Sequence, residues 1–545
     1  MTDTTMTAGT ADTSDAADTT DIADVAGTTD IADVAGTTDI ADATDTTDIA
    51  VLKHIAHTAD TADVELELLA RVPDRLYIGG AWVDGGGTGI VVHDPATGRV
   101  IKTIAGASPA DGIRVLDAAV EAAEAWAATA PRARAEILRR AWELLQERRD
   151  DFALLMTIEM GKPLAEARGE VTYGGEFLRW FSEEAVRISG RYGQSPEGAG
   201  TMVVTQRPVG PCFLITPWNF PLAMATRKIA PALAAGCTVV IKPAELTPLT
   251  TLLFAQLLED AGVPAGVVNV ITTSDSAAVS APIIADPRLR KLSFTGSTAV
   301  GRRLIAQAAD GVLRTSMELG GNAPFVVFED ADLDKAVDGA MLAKFRNIGQ
   351  ACTAANRFIV HADVADEFAQ RVTERVNALR VGRGTEDGVS IGPLIEEKAV
   401  ASVEALVQDA VDRGARVLTG GHRPERDGSF YAPTVLTDVA TGSDILREEI
   451  FGPVLAITTF SDEDEAVRLA NDTEYGLVGY VFTADLARGH RMIDRLDTGM
   501  MGLNTGLVSN AAAPFGGVKQ SGLGREGGLE GIHEYLSTKY TLIPT

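Results

Sequence analysis

The sequence predicts an α/β protein of two α/β lobes with a small β arm, and three observations carry that prediction. Between residues 210 and 321, short apolar runs bounded by Gly and Pro alternate with amphipathic segments, the pattern of a doubly wound parallel sheet. A second alternating region runs from residue 323 to about residue 508. A turn-rich, strand-like stretch at 196–206 and a strand-like close at 539–543 belong to neither pattern. At 545 residues the chain is too long for one simple core, so two lobes with a cleft between them are expected.

The first fifty residues hold a nine-residue repeat, at 19–27, 28–36 and 37–45, each opening Thr-Thr-Asp-Ile-Ala-Asp. Each unit offers one Ile and at most one Val to bury, too little to offset the entropy of ordering. Residues 1–55 are therefore expected to form a disordered acidic repeat tail. Leu76-Tyr77-Ile78-Gly79-Gly80-Ala81-Trp82-Val83 reads as two short strands about a Gly-Gly turn, followed by a strand at 89–92. Ser108-Pro109-Ala110-Asp111 supplies an N-cap, a proline at the first helical position and an acid in the first turn, and helical spacing then persists through Trp126. Amphipathic helices fit 132–148, 152–160 and 164–188, with their Trp and Phe residues in the core.

Strands fit 212–215, 238–241, 267–271, 291–294 and 312–318, with helices at 222–235 and 251–261 among them. Ligands of such sheets bind at the carboxyl ends of the strands, which singles out the loops 216–219, 242–245, 295–298 and 318–321. The second region offers helices at 333–345, 364–379 and 399–413 and strands near Val417 and Val454. The expected division is 56–195 and 207–319 for the first lobe and 320–508 for the second, with 196–206 and 509–545 as bridging or oligomerisation segments. The terminal strand is expected to pair either with another subunit or within its own chain.

Composition excludes several function classes. The net charge is −28, of which twelve aspartates in residues 1–50 supply a large part and leave −16 to the rest. That balance disfavours nucleic acid and anionic membrane partners, which need basic stripes. No apolar run is long enough to cross a bilayer and no signal-peptide pattern opens the chain, so the cytoplasm is the default location. The three cysteines, Cys212, Cys237 and Cys352, form neither a disulfide framework nor a metal-ligand spacing, so no metal is expected.

Cys352 lies in Phe345-Arg346-Asn347-Ile348-Gly349-Gln350-Ala351-Cys352-Thr353-Ala354-Ala355-Asn356-Arg357, among small residues, amides and two arginines. Nearby cations and backbone amides lower a thiol's pKa, so this is a nucleophile's setting; a buried structural cysteine is the competing explanation. Glu318-Leu319-Gly320-Gly321 puts a carboxylate at the end of an apolar strand, where burial would raise its pKa and suit it to general-base work. Asn219, in Trp218-Asn219-Phe220-Pro221, offers an amide donor for an oxyanion or a helix cap. Gly296-Ser297-Thr298-Ala299-Val300-Gly301 joins a strand to a helix and could admit a phosphate, although it departs from the G-x-G-x-x-G pattern. Lys242-Pro243-Ala244-Glu245 could hydrogen-bond ribose hydroxyls or form a surface ion pair.

These stretches, together with Pro217-Trp218-Asn219-Phe220-Pro221, Gly349-Gln350-Ala351-Cys352, Glu448-Glu449-Ile450-Phe451-Gly452-Pro453 and Pro514-Phe515-Gly516-Gly517, resemble the aldehyde dehydrogenase superfamily in the same order, over roughly residues 70–545. The resemblance implies a Rossmann-type NAD(P)-binding lobe, a catalytic lobe and an oligomerisation arm. It implies Cys352 as nucleophile, Glu318 as the base for the deacylating water, Asn219 with the Cys352 amide as oxyanion hole, and Lys228 in a proton relay. Lys242 and Glu245 would hold the adenine ribose, Gly296 and Ser297 the pyrophosphate, and Glu449 with Phe451 the nicotinamide ribose. Thr216, Pro217, Trp218, Ala244 and Gly301 would complete those cofactor loops. The family suggests a homodimer or homotetramer.

Arg227, Arg346 and Ser509 occupy positions that are commonly aromatic or apolar in relatives handling neutral aldehydes, and the trio is similar to succinate-semialdehyde dehydrogenases. Two guanidiniums would clamp a distal carboxylate of a small semialdehyde and repel a cationic substrate. Glutarate semialdehyde, one methylene longer, is the alternative substrate. A thioesterase-like hydrolase and a non-catalytic binding protein on the same fold are the remaining readings. Glu245 favours the free ribose hydroxyl of NAD over the phosphate of NADP. Ala354 stands where some relatives carry a second cysteine, so a local disulfide switch is not expected.

Overall fold

The apolar runs between residues 210 and 321 become the parallel centre of an eight-stranded sheet in the computed structural model, which describes residues 58–544. Across the sheet this centre reads Arg314–Glu318, Lys291–Thr295, Cys212–Ile215, Val239–Lys242 and Val268–Val270. Strand order therefore reverses between Cys212–Ile215 and Lys291–Thr295, and the crevice at such a reversal is where ligands of open α/β sheets bind.

Side chains alternate between two apolar layers, as the period of a strand requires. Cys212, Leu214, Val239 and Ile241 join Leu222, Ile229, Leu252 and Phe254 on one face. Phe213, Ile215 and Val240 join Val115, Leu116, Ile283 and Leu304 on the other. The expected aromatic core is present: Trp126, Phe152, Phe177 and Phe181 are buried, each worth about 1.5–3 kcal/mol or more by area, while Trp142 and Trp180 are only partly covered. The N-cap at Ser108 is a full capping box with Asp111, and the helix runs Pro109–Ala128.

The second sheet has seven strands in the order Arg416–Thr419, Thr434–Thr437, Val454–Phe460, Ala355–His361, Ala323–Val327, Val478–Phe482 and Met500–Leu503. All its pairings are parallel except that of the first two strands. Glu318 ends a strand of one sheet and Ala323 begins a strand of the other, so the sheets meet at Leu319-Gly320-Gly321.

The arm is a three-stranded sheet of Arg191–Gln194, Gly200–Pro208 and Leu536–Pro544. It begins at Arg191, earlier than the expected 196, because the first strand carries the polar residues Arg191, Tyr192 and Gln194 and no apolar run announces it. The terminal strand pairs within its own chain, from Leu536 opposite Pro208 to Pro544 opposite Gly200. Segment 509–545 is not one bridging piece: Gly522–Leu523 pairs with Met317 and Glu318 in the first sheet, and Ile532 and Tyr535 are buried in that lobe's core. A helix at Thr58–Arg71 and a strand at Val100–Gly106 were also not foreseen. The expected tail at 1–55 lies outside the described residues. Among those described, no helix is long and apolar enough to cross a membrane.

Candidate active site

The register of the first sheet sets the floor of the cleft. Ile215 pairs with Lys242, Phe294 with Ile215 and Thr295 with Glu318, so the loops after these strands open along one edge. Thr216 N–H donates to Lys242 O at 3.1 Å and Gly296 N–H to Glu318 O at 3.1 Å, which extends the ladder into the loops themselves.

Cys352 lies just beyond a strained loop. Asn347, Ile348 and Gly349 all take left-handed φ values, 54°, 63° and 72°, and the two non-glycines cost about 1–3 kcal/mol each. Hydrogen bonds hold the loop there: Asn347 Nδ2 donates to Asn219 O at 3.0 Å and Gln350 O at 2.9 Å, and Gln350 Oε1 accepts from Ile395 N–H at 3.0 Å. The expected lowering of the Cys352 pKa is corrected. Burial pushes the thiol up to about 12; Arg227 and a backbone hydrogen bond pull it down, but Glu449 and Glu318 add to the rise.

Asn219 is buried on the facing loop, with Nδ2 donating to Gln350 O at 3.0 Å and Oδ1 without a partner. Its amide is thus anchored to the nucleophile loop by one N–H, and the second N–H is left for another acceptor. Glu318 is 2 % exposed and neither carboxylate oxygen has a partner among the described residues. Burial raises its pKa well above the usual carboxylate range, and the like charge of Glu526 adds to the rise.

Lys228 donates to Ser293 Oγ at 2.9 Å and pairs with Glu526 Oε1. Glu526 also faces Arg227 Nε, as an ion pair out of line for a hydrogen bond. Burial alone would raise the Glu526 carboxyl, but Arg227 and Lys228 outweigh it and hold it low. Sequence reasoning missed Glu526, in Gly522-Leu523-Gly524-Arg525-Glu526; only the fold brings it to residues almost 300 positions earlier. It missed Lys344 as well, a fully buried lysine whose Nζ has no partner and whose pKa burial lowers to about 7, with Glu449 opposing.

The expected pair of free guanidiniums becomes one. Arg227 is 1 % exposed, stacked 4.2 Å over Phe515 and paired with Glu526, with Nε and Nη2 buried without a hydrogen bond among the described residues. Arg346 is half-buried over the rings of Phe220 at 5.4 Å and Tyr173 at 5.9 Å, and it forms no ion pair among the described residues. Tyr173 Oη is buried without a partner beside it. Ser509 is half-buried on the loop before Pro514, without a hydrogen bond to either arginine. Arg357 is structural, donating to the carbonyls of Asn322, Leu469 and Ala470.

The residues expected around a dinucleotide suit one. Lys242 is 3 % exposed with its Nζ bonded only to Pro243 O, and Thr216 Oγ1 is buried without a partner. The helix Thr298–Asp310 starts at Ser297 with no side-chain cap, so its first N–H groups are free to meet a phosphate. A Cβ at Gly301 would fall 2.4 Å from Leu319, so the glycine lets that helix sit close to the strand end. Glu245 is exposed and Ala244 half-exposed at the rim. Trp218 and Phe451 meet edge to face at 5.4 Å with Pro217 directly before Trp218 in sequence, and Glu449 Oε1 accepts Gly321 N–H at 3.3 Å. Burial raises Glu449 to about 7.

Residues 82–541 match the Aldehyde dehydrogenase family. The chain is 60% identical over 441 residues to a succinate-semialdehyde dehydrogenase of Paenarthrobacter nicotinovorans, covering 81% of this chain and 98% of the relative. It is 49% identical over 467 residues to a glutarate-semialdehyde dehydrogenase of Pseudomonas aeruginosa, covering 86% and 96%. Among solved structures, one described as an NADP dependent enzyme of E. coli superposes with a TM-score of 0.86 at 48% identity, over 87% of this chain and 98% of the other.

Proposed function

The chain belongs to the aldehyde dehydrogenase family, and from that membership we propose that it oxidises succinate semialdehyde to succinate with NAD or NADP. The observation that carries the substrate is Arg346, a guanidinium in no ion pair among the described residues, six residues before Cys352 and laid over two aromatic rings. A carboxylated aldehyde would meet the cation with its carboxylate and Cys352 with its carbonyl carbon.

Cys352 Sγ adds to that carbon, and Asn219 Nδ2 with the Cys352 N–H holds the oxygen that becomes charged. A thiol held up at about 12 gives up its proton only as the bond forms, so a nearby base is required. Glu318, with two unpartnered oxygens, takes that role and later deprotonates the water that hydrolyses the Cys352 thioester. Lys228 and Glu526 carry the proton away through their ion pair. Lys242, Glu245, Gly296, Ser297, Glu449 and Phe451 would hold the dinucleotide, which would supply a hydride acceptor.

Glutarate semialdehyde is the competing substrate, because a relative of nearly half identity is named for it and one methylene is worth only about 1–3 kcal/mol. Two further parts of the reading are a cytoplasmic location and a homodimer or homotetramer built on the arm, where Tyr192, Tyr540 and Ile543 are exposed. Initial rates with C3 to C5 semialdehydes and with each dinucleotide test the reading. The expected result is a maximum kcat/KM at C4, preference for NAD through Glu245, and loss of turnover in Cys352→Ser. Equal rates with butanal would overturn it.

A further inference from the structure

The helix Leu164–Glu184 and the residues just before it touch both loops of the cleft through hydrogen bonds to backbone groups. Glu170 Oε1 accepts Leu222 N–H at 2.9 Å and Ala223 N–H at 3.1 Å, at the start of the helix that follows Asn219. Its other oxygen pairs with Lys162, and Lys162 Nζ donates to Asn219 O at 2.9 Å. Both side chains of this pair are wholly buried, so each charge satisfies the other and the pair fixes the Asn219 loop. Glu166, one turn before Glu170, makes no hydrogen bond to that pair among the described residues, although its carboxyl feels the charges of Lys162 and Arg346. Its Oε2 accepts the N–H of Asn347 at 2.5 Å, on the opposite loop.

Asn347 is the first of the three left-handed residues, directly after Arg346 and five before Cys352. A backbone of that shape persists only where its surroundings over-determine it. The side-chain Nδ2 of Asn347 is already committed to Asn219 O and Gln350 O and its Oδ1 has no partner among the described residues, so its backbone N–H is its remaining donor. Glu166 takes that donor at the point where the chain leaves Arg346.

We propose that Glu166 is a positioning residue for the reaction: by accepting the Asn347 N–H it fixes the span between the Arg346 guanidinium and the Cys352 sulfur, and so the length of carboxylated aldehyde that reacts. The proposal rests on the reading of Cys352 as nucleophile and Arg346 as carboxylate site. An acceptor oxygen is what the geometry requires, so an amide substitutes for the carboxylate and a methyl does not.

The test compares Glu166→Ala and Glu166→Gln with the parent enzyme on C4 and C5 semialdehydes and on butanal, with Cys352→Ser and Arg346→Ala as controls. Glu166→Ala is expected to lower kcat on the C4 semialdehyde at least tenfold and to flatten the C4 to C5 preference, with the Kd for the dinucleotide unchanged. Glu166→Gln is expected to stay within threefold of the parent and to keep the preference. Should Glu166→Ala fail to fold, Glu166→Asp withdraws the acceptor by one methylene while keeping the charge, and it should show the same loss. A Glu166→Ala enzyme with parental kcat and preference, a Gln variant as impaired as the Ala variant, or a parallel loss of dinucleotide binding would overturn the proposal. Controls separate the two levels: activity surviving in Cys352→Ser, or carboxylate preference surviving in Arg346→Ala, sinks the functional reading itself.

Discussion

Replacing Arg346 by Ala removes a guanidinium that forms no ion pair among the described residues of the cleft. Truncating one partner of a buried, hydrogen-bonded charge pair costs about 2–5 kcal/mol, much of it the penalty of leaving the other charge unpaired. Two features place Arg346 at the low end: its side chain is half-buried rather than enclosed, and the Glu166 carboxyl lies near enough to interact with it. A loss of about 2–3 kcal/mol corresponds to roughly 30- to 150-fold in kcat/KM at about 1.4 kcal/mol per factor of ten. Butanal has no charge to lose, so its kcat/KM should change by less than about threefold. The assay is reduced-dinucleotide absorbance at limiting aldehyde, with both aldehydes on the same preparation. If the ratio of the two kcat/KM values is the same in variant and parent, Arg346 does not read the carboxylate and the substrate assignment falls. If both fall together, the variant has damaged the Cys352 loop instead, and the argument from a free cation is equally refuted.

Glu526→Gln leaves Arg227 and Lys228 buried without their shared counter-charge, a loss of about 3–5 kcal/mol, so its thermal midpoint should drop clearly while Glu530→Gln on the nearby surface leaves it unchanged. Alkylation of Cys352 by iodoacetamide without dinucleotide, followed by peptide mass, should rise steadily with pH and show no plateau below about pH 10, given a thiol near 12; a plateau near neutrality would show an activated resting thiolate. Glu159 is wholly buried, accepts the N–H groups of Leu249 and Thr250, and is raised by burial to about 7. A raised carboxyl contributes stability below its unfolded pKa and loses it as pH climbs through the folded value, so Glu159→Gln should flatten the fall in thermal stability of the parent between about pH 4.5 and pH 7. Parallel stability curves for the two would disprove that shift.

The parallel strands Cys212–Ile215 and Val239–Lys242 were legible because each is buried on both faces and reads as a nearly unbroken apolar run. Ala355–His361 is buried as deeply and was not, because it opens on Asn356 and Arg357. Those two are tolerated inside a sheet only because Asn322 Oδ1 and the carbonyls of Asn322, Glu448, Leu469 and Ala470 take their donors. Local periodicity carries no sign of such partners. The same limit governs the site. Cys352, Glu318 and Asn219 stood out through local stretches of fixed composition, but which arginine keeps a free charge depends on Glu526, which the fold delivers from the far end of the chain.

The charges around the cleft explain why one arginine is enough. Glu526 neutralises much of Arg227 and Lys228, Glu170 neutralises Lys162, and burial raises Glu318, Glu449 and Cys352 towards their neutral forms. Burial lowers Lys344 to about 7, which leaves Arg346, near the Glu166 carboxyl but in no ion pair among the described residues, as the permanent cation of the cleft. On a chain of net charge −28, an anionic aldehyde is repelled at long range and attracted only once it is within the cleft, past the screening distance of about 8 Å at physiological salt. Oxidation then adds a second carboxylate to the molecule, formed beside Glu318 and Glu449, where the one amine without a hydrogen bond among the described residues, Lys344, is lowered by burial to about 7. On the proposed reading, the product is held at one end by the charge that held the substrate and repelled at the other by carboxyls that regain their charge as water enters. Discrimination on entry and release after hydrolysis thus follow from a single asymmetry, one permanent positive charge facing a group of buried carboxyls.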